Sequence, residues 1–207
     1  MGLQFNYLLY FNRKDLWDVL KGLEQFCQTN DKSTTTIQFP DHDLVLSLES
    51  FGGAGNKHAY DQAAFGFSIL MYFDEDQEIY DYRSSWGGYR NDRSPPDEGS
   101  RQVAIGTIFL TVYADLSMHF GFVNKPTDMV LFEFGTTGSK MSTLFYFSTS
   151  IRKTFINVLE KFDGLIGILD LEDDGQLFWF KGQRLELNLP NNFLLPEEIE
   201  QLLMNGS

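Results

Sequence analysis

The chain has 207 residues, of which 43% are hydrophobic and 15% aromatic, including 20 phenylalanines. That apolar content is enough to fill a core and excludes an intrinsically disordered chain. The formal net charge is −13, from 29 acidic and 16 basic residues. This balance argues against nonspecific binding to nucleic acid or anionic membranes, because neutralising their phosphates requires Lys and Arg. It permits a basic protein partner, but it is also typical of soluble cytosolic proteins.

The cysteine content and the N-terminus indicate the compartment. Cys27 is the single cysteine, so an intrachain disulfide is excluded. The segment Met1–Phe11 has neither the positive n-region nor the cleavage site of a signal peptide. The longest uncharged apolar stretch, about Val103–Ala114, is too short to cross a bilayer. We therefore expect a cytoplasmic protein.

The N-terminal quarter predicts a strand, a helix and a hairpin. Leu3–Phe11 is typical of a strand, and a helix begins near Lys14. Thr34–Phe39 and Leu44–Ser50 predict a hairpin, and the polar turn 40–43 between them is a turn rather than a metal site. Apolar residues at helical spacing define the buried stripe of the helix: Leu16, Val19, Leu20, Leu23, Phe26 and Cys27.

The middle of the chain predicts strands. Glycine-rich Phe51–Gln62 is a flexible connector, since its glycines do not follow the order of a nucleotide fingerprint. Ala63–Phe73 and Glu78–Arg83 form a hairpin whose acidic tip, Asp74–Asp76, is a solvated turn. Val103–Asp115 is apolar on both faces, which predicts the central strand of the sheet.

A strand at Met129–Phe134 is followed by a segment with a faint likeness to a phosphate-binding loop, Gly135–Lys140. The order Gly-Ser-Lys is wrong for such a loop and the spacing is short. The residues on both sides are strand-like, and a phosphate loop needs a helix N-terminus. The segment therefore predicts a hairpin.

The C-terminal part predicts a second set of the same elements. Leu144–Phe147 is typical of a strand, and residues 151–162 have the stripe of an amphipathic helix. Leu165–Leu171 adds a strand. A hairpin follows, with strands at 178–180 and 185–189, and a short helix closes the chain over 196–203.

These two sets of predicted elements have the pattern of an internal repeat. Ile37–Leu48 aligns with Phe178–Leu189 without a gap, and a Tyr-Phe pair and a helix precede each segment in the same order. The sequence thus predicts two β-α-β-β units, about 3–50 and 143–190, joined by middle strands over 63–134. The expected fold is a single α+β domain over 1–207, with one antiparallel sheet and its helices on one face.

The loop Ser84–Ser100 is the segment least explained by folding. It lacks periodicity, and loops of this length are usually functional or disordered. Trp86, Tyr89, Arg90 and Arg93 are of the residue types that dominate contact energies in interfaces. We therefore predict that these four residues bind a partner; the alternative is that the aromatic rings fold back onto the body.

The sequence contains no familiar catalytic, metal or nucleotide motif, and its three histidines, His42, His58 and His119, are scattered. We expect no cofactor. The leading hypothesis is a non-catalytic, acidic protein-binding module, for example an inhibitor or immunity-type protein that covers a basic active site. Three alternatives stay open: a cavity for an apolar ligand between sheet and helices, an enzyme whose site is assembled from distant segments, and self-association through an uncovered strand edge.

Overall fold

A computed structural model describes residues 4–28, 34–51, 56–85, 101–116, 128–185, 193–195, 198 and 201–202. Within these ranges the chain forms helices and mainly antiparallel sheets, as the α+β prediction requires. Trp86, Tyr89, Arg90 and Arg93 lie outside the described residues, so their role stays a prediction. None of the helices described is long and apolar enough to cross a membrane.

A nine-stranded sheet forms the body of the protein, and all of its strand pairs are antiparallel. Its strands are β1 (Asn6–Asn12), β4 (Glu49–Ser50), β6 (Ala64–Ile69), β9 (Ile108–Tyr113), β10 (Met129–Thr136), β11 (Ile166–Asp170), β12 (Gly175–Phe180), β13 (Gln183–Arg184) and β14 (Phe193–Leu194). The spatial order is β13-β12-β11-β1-β10-β9-β6-β4, and β14 pairs with β12 on the side of the path.

Two smaller sheets accompany the main sheet. The first has the order β3-β2-β5, and contains β2 (Thr35–Gln38), β3 (Asp43–Leu46) and β5 (Lys57–Ala59). β2 and β3 form the predicted hairpin, whereas β2 and β5 run parallel. The second consists of β7 (Tyr72–Asp74) and β8 (Gln102–Ala104). β2 and β3 therefore lie outside the main sheet, and only the end of the predicted second strand, Glu49–Ser50, joins it as β4, which corrects the prediction of one continuous sheet.

Four helices are described: α1 (Leu16–Gly22), α2 (Gln77–Ser84), α3 (Ser139–Phe147) and α4 (Thr149–Lys161). Short 3-10 turns, Arg13–Asp15 and Leu23–Phe26, extend α1 at both ends. The predicted stripe is confirmed at Leu16, Val19, Leu20 and Leu23, which are all buried. Phe26 is half-buried, and Cys27 is buried beyond the helix, where it pairs with Met71 in a β-bridge.

All four helices contribute to one core, on one face of the main sheet. On β1 and β10 the side chains that enter this core alternate, as the strand period requires, and they are Tyr7, Leu9 and Phe11 with Val130, Phe132 and Phe134. The opposite face holds a smaller cluster around Leu8, Tyr10, Met129 and Leu131, against which Leu185, Leu194 and Leu202 pack. β1 and β10 lie in the middle of the strand order and are buried on both faces, so they are the central strands. β9 alternates between buried and half-buried residues instead, so the prediction that Val103–Asp115 is central is wrong.

Several local predictions are also wrong. Glu78–Arg83 lies in helix α2, and Leu144–Phe147 is the last part of helix α3 rather than a strand. The segment 103–115 is interrupted at Gly106, whose φ of 132° is a conformation that favours glycine, so β8 and β9 enter different sheets. Similarly, 63–73 is divided between β6 and β7. Gly135–Lys140 leads from β10 into α3 instead of turning a hairpin. The helix removes one argument against a phosphate loop, but the order and spacing of the residues still do not fit one.

The predicted repeat loses its first landmark in the second copy, because Leu144–Phe147 is helical. The predicted helix 151–162 agrees with α4, and the strand 165–171 agrees with β11. Residues 186–192 lie outside the described residues, so the final strand of the second unit cannot be compared with β3. Whether the two stretches share one ancestral unit stays a prediction.

Candidate functional site

An aromatic surface lies at the turn of the β2–β3 hairpin. Phe39 stacks on His42, with ring centroids 4.5 Å apart, and also on Tyr60, at 5.3 Å. Trp17, from α1, meets Phe39 edge-on at 5.0 Å. We call these four residues, Trp17, Phe39, His42 and Tyr60, the aromatic patch. It brings together three chain segments, since the backbone N–H of Tyr60 donates a hydrogen bond to the Gln38 carbonyl at 3.0 Å.

The aromatic patch is partly open to solvent. Tyr60 is 41% exposed, and the side chain of His42 is 60% exposed. On its inner side the ring of Trp17 contacts the buried Phe65, at 5.5 Å between centroids. The core therefore holds the patch from beneath, while its outer rings remain available to a partner. Rigid, amphipathic rings of this kind lose little entropy on binding.

Carboxylates surround the aromatic patch in the sequence. Asp41 and Asp43 are exposed on either side of His42, and the exposed Asp61 follows Tyr60. Asp41 accepts a hydrogen bond from His42 Nδ1 at 2.8 Å, and that bond, together with the charge of the imidazole, lowers the pKa of the Asp41 carboxyl. Lys57, on β5, is also exposed. Aromatic rings beside carboxylates are suited to bind guanidinium and ammonium groups, by cation–π contact and by charge.

Three side chains near the aromatic patch, Ser50, His58 and Gln62, form a hydrogen-bonded triad. His58 Nδ1 is 3.0 Å from Gln62 Oε1, and His58 Nε2 is 2.8 Å from Ser50 Oγ. Because an amide oxygen only accepts, Nδ1 carries the imidazole proton, and Nε2 of the neutral ring then accepts from the Ser50 hydroxyl. This is the order of nucleophile, base and orienting group found in acyl-transfer enzymes. Gln62 is neutral, so it stabilises an imidazolium less than a carboxylate would.

The sequence did not predict this hydrogen-bonded triad. His58 was assigned to a flexible connector, yet it lies on β5 and is 8% exposed. The spacing of eight residues between Ser50 and His58 matches no familiar motif. A buried histidine next to hydroxyl and amide side chains was the only signal, and the sequence does not reveal burial.

A cleft of about 480 Å³ forms a third feature. It lies between the acidic segment that precedes α2 and the beginning of α4, with β13 at its side. Its lining residues are Asp74, Glu75, Asp76, Thr149, Ser150, Arg152, Lys153, Ile156, Arg184 and Leu185. The lining is therefore mainly charged and polar, unlike the apolar interior cavity considered from the sequence.

The acidic residues of the cleft are not a solvated turn. Glu75 and Asp76 are 1% and 9% exposed, so that prediction is wrong. Asp76 caps α2 by accepting a bond from the Ile79 N–H at 2.9 Å, and its other oxygen accepts from Ser148 Oγ at 2.7 Å and from the Ser150 N–H at 3.0 Å. One carboxylate thus joins the N-termini of α2 and α4, where the helix dipoles favour negative charge.

Glu75 fixes the two chain segments on either side of 86–100. Its carboxylate lies 3.3 Å from Arg83 Nη1 and 3.7 Å from Arg101 Nε, and its backbone N–H donates to the Arg101 carbonyl at 2.7 Å. The described ends of the predicted binding loop are therefore held together at the edge of the cleft.

Neither Cys27 nor a metal centre adds chemistry in the described part of the chain. Burial raises the pKa of the Cys27 thiol to about 12, which keeps it protonated and unreactive at neutral pH. Among the residues described, no group of three or more His, Cys, Asp and Glu side chains is arranged to hold a metal ion. Comparisons with protein-family models, with curated proteins and with solved structures find no match for this chain.

Proposed function

We propose that the chain is an acidic, non-catalytic protein-binding module of the cytoplasm, whose partner is a basic protein. The observation that carries the proposal is the aromatic patch, in which the rings of His42 and Tyr60 are exposed and Asp41 is bonded to His42, while the exposed Asp43 and Asp61 follow these rings in the sequence. The formal net charge of −13 supports it, because such a field speeds the encounter with a basic surface. An inhibitor or immunity-type protein that covers a basic active site is one form of this function.

The partner would present arginine side chains to the patch. A guanidinium group can stack on Tyr60 and at the same time pair with a carboxylate, whereas an ammonium group lacks the planar fork. Binding is therefore expected to prefer arginine to lysine and to weaken as the salt concentration rises. The aliphatic part of the partner would lie over Trp17 and Phe39.

Replacing Tyr60 with alanine is expected to weaken the binding of an arginine-rich probe peptide about three- to tenfold, because the exposed cation–π and stacking contact is lost. Fluorescence anisotropy with a labelled peptide measures the dissociation constant. Tyr72→Ala is the matched control, since Tyr72 is 37% exposed on β7 in a different sheet and its loss should leave the affinity unchanged. Equal affinities for the two variants would contradict the proposal.

A separate pair of variants tests the contribution of the carboxylates beside the aromatic patch to binding. The double variant Asp41→Asn/Asp43→Asn removes two carboxylates beside the patch, and Glu78→Gln/Asp81→Asn removes two exposed carboxylates on α2. The first variant should weaken binding more than the second at low salt, and the difference should shrink in high salt. A loss of affinity that is the same in both variants would show a diffuse effect of net charge rather than a local site.

The Ser50–His58–Gln62 triad favours a second candidate function, that of an acyl-transfer enzyme. Ser50 Oγ would attack a carbonyl carbon while its proton passes to His58 Nε2; His58 would then give that proton to the leaving group as the ester on Ser50 forms. Water would then attack the ester and give a proton to His58 Nε2, which returns that proton to Ser50 Oγ as the acid is released. The orientation of the imidazole, described above, supports this candidate.

A fluorophosphonate probe tests this candidate by mass spectrometry. The folded chain is expected to gain one adduct on Ser50, and Ser50→Ala and His58→Gln are expected to lose it because the first lacks the nucleophile and the second lacks the base. The heat-denatured chain is the control and should stay unlabelled. An unlabelled folded chain, or labelling that His58→Gln leaves unchanged, would exclude the enzyme.

The aromatic rings between sheet and helices give no support to the apolar-ligand alternative. Phe155 contacts the rings of Tyr7, Phe134 and Phe145, so these side chains pack on each other rather than around a space.

A further inference from the structure

The cleft beside α4 carries more positive charge than the rest of this acidic protein would suggest. Its three carboxylates each have a partner of their own. Glu75 is held by Arg83 and Arg101, Asp76 accepts three hydrogen bonds at two helix N-termini, and Asp74 lies 3.9 Å from Lys153 Nζ. The carboxylates of the lining therefore already have partners other than Arg152 and Arg184.

Two arginines of the lining, Arg152 and Arg184, have no carboxylate partner among the described residues. Arg152 donates to neutral oxygens, the Tyr146 carbonyl at 3.1 Å, Gln176 Oε1 at 3.4 Å and the Tyr7 phenol, and its buried Nε has no hydrogen-bond partner. Arg184 is exposed on β13, at the side of the same cleft. Within the described ranges, neither guanidinium forms a salt bridge.

The surroundings of Arg152 make this arrangement costly without a ligand. The side chain is half-buried, and Arg152 lies close enough to Tyr7 to oppose part of the rise that burial gives the pKa of that phenol, which is raised to about 12. A charge withdrawn from water without a counterion is unfavourable, and in a chain with a net charge of −13 a carboxylate partner could have been supplied locally. Arg152 instead faces neutral groups and the cleft.

We propose that this cleft binds a small anionic ligand bearing a phosphate or carboxylate group. Arg152 and Arg184 would hold the anion, and the hydroxyl of Thr149 could add a hydrogen bond. The N-terminus of α4 does not itself provide the anion site, because the Ser150 N–H is already bonded to Asp76. Ile156 and Leu185 form an apolar part of the wall, and the volume of about 480 Å³ leaves room for more than the anionic group.

Titration with inorganic phosphate, by calorimetry and thermal shift at constant ionic strength, tests the site. The wild-type chain is expected to show saturable binding and a rise in Tm that sodium chloride does not reproduce. Arg184→Gln should weaken phosphate binding about tenfold, since it removes a charge-assisted hydrogen bond. Arg184 is exposed on an edge strand, so this variant should fold. Lys181→Gln, an exposed cation in the neighbouring turn, is the control and should bind as the wild type does.

A second variant tests the role of Arg152, and a second probe tests whether the ligand carries a phosphate or a carboxylate. Arg152→Lys keeps the charge but loses the planar fork, so it should bind phosphate less tightly than the wild type while staying folded. Succinate, titrated in the same way, shows whether a carboxylate is preferred to a phosphate; saturable binding of either anion that depends on Arg152 and Arg184 supports the site. The absence of saturable binding by both anions, or binding that both arginine variants leave unchanged, would overturn it.

Discussion

Replacing Phe155 with alanine is expected to lower the free energy of unfolding by about 4 kcal/mol, the typical cost of removing a buried aromatic ring. Phe155 is fully buried on α4 and stacks on Tyr7 of β1, with centroids 4.1 Å apart. It also contacts Phe134 of β10 at 4.8 Å and Phe145 of α3 at 6.0 Å. One ring thus joins two helices to the two central strands, and its loss leaves a cavity that several rigid elements cannot close.

Urea unfolding at neutral pH measures this change. Phe147→Ala is the matched control, because Phe147 is 57% exposed at the end of α3 and its removal should cost less than about 0.5 kcal/mol. If the two variants were equally stable, the packing of α4 against the sheet would be wrong.

The second large effect is expected at Asp76. Asp76→Asn should lower the free energy of unfolding by about 3 kcal/mol, because the amide cannot accept all three hydrogen bonds that the carboxylate now accepts. The amide NH₂ would face either the Ile79 N–H or the Ser148 hydroxyl and Ser150 N–H, and donors repel donors. Two helix N-termini would lose their shared anion in one substitution.

Asp81→Asn provides the comparison for Asp76, since Asp81 is an exposed carboxylate of α2 bonded to Gln77. It should change the stability by less than about 0.5 kcal/mol. Urea unfolding again gives the free energies, and amide hydrogen exchange at residues 77–79 and 149–151 should rise in Asp76→Asn alone. Unchanged exchange at both helix starts would show that the carboxylate does not connect them.

The sequence predicted elements whose apolar residues follow a long, regular spacing. The stripe of α1 and the strands β1, β10 and β11 are found where expected, because alternation and helical spacing report directly which face is buried. Short aromatic segments were harder. Leu144–Phe147 has the composition of a strand, yet Met141, Leu144 and Phe145 are buried at helical spacing, and that signal decided the structure.

Helix α2 was missed for a similar reason. Asp76 stands three residues before Ile79, and Glu78 lies in the first turn, which is a recognisable helix start. The acidic run suggested a solvated turn instead. The partners of Asp76 that make its burial favourable, Ser148 and Ser150, lie 72 and 74 residues away, so local sequence could not reveal them.

The candidate sites depend on contacts between distant segments in the same way. The aromatic patch joins α1, the hairpin turn and the segment after β5, and the cleft joins the start of α2, the start of α4 and β13. Residue types typical of interfaces led to the prediction that a partner binds Trp86, Tyr89, Arg90 and Arg93, and this prediction stands beside the aromatic patch. The aromatic patch is a candidate surface whose geometry the structure describes.

The position of the bound basic peptide on the chain tests the proposed function most directly. Amide chemical shifts recorded during titration of the isotope-labelled chain with the arginine-rich peptide should change most at residues 38–43 and 57–62, around the aromatic patch. Changes confined to residues 86–93, or spread evenly over the acidic surface, would contradict the assignment of the patch as the binding site.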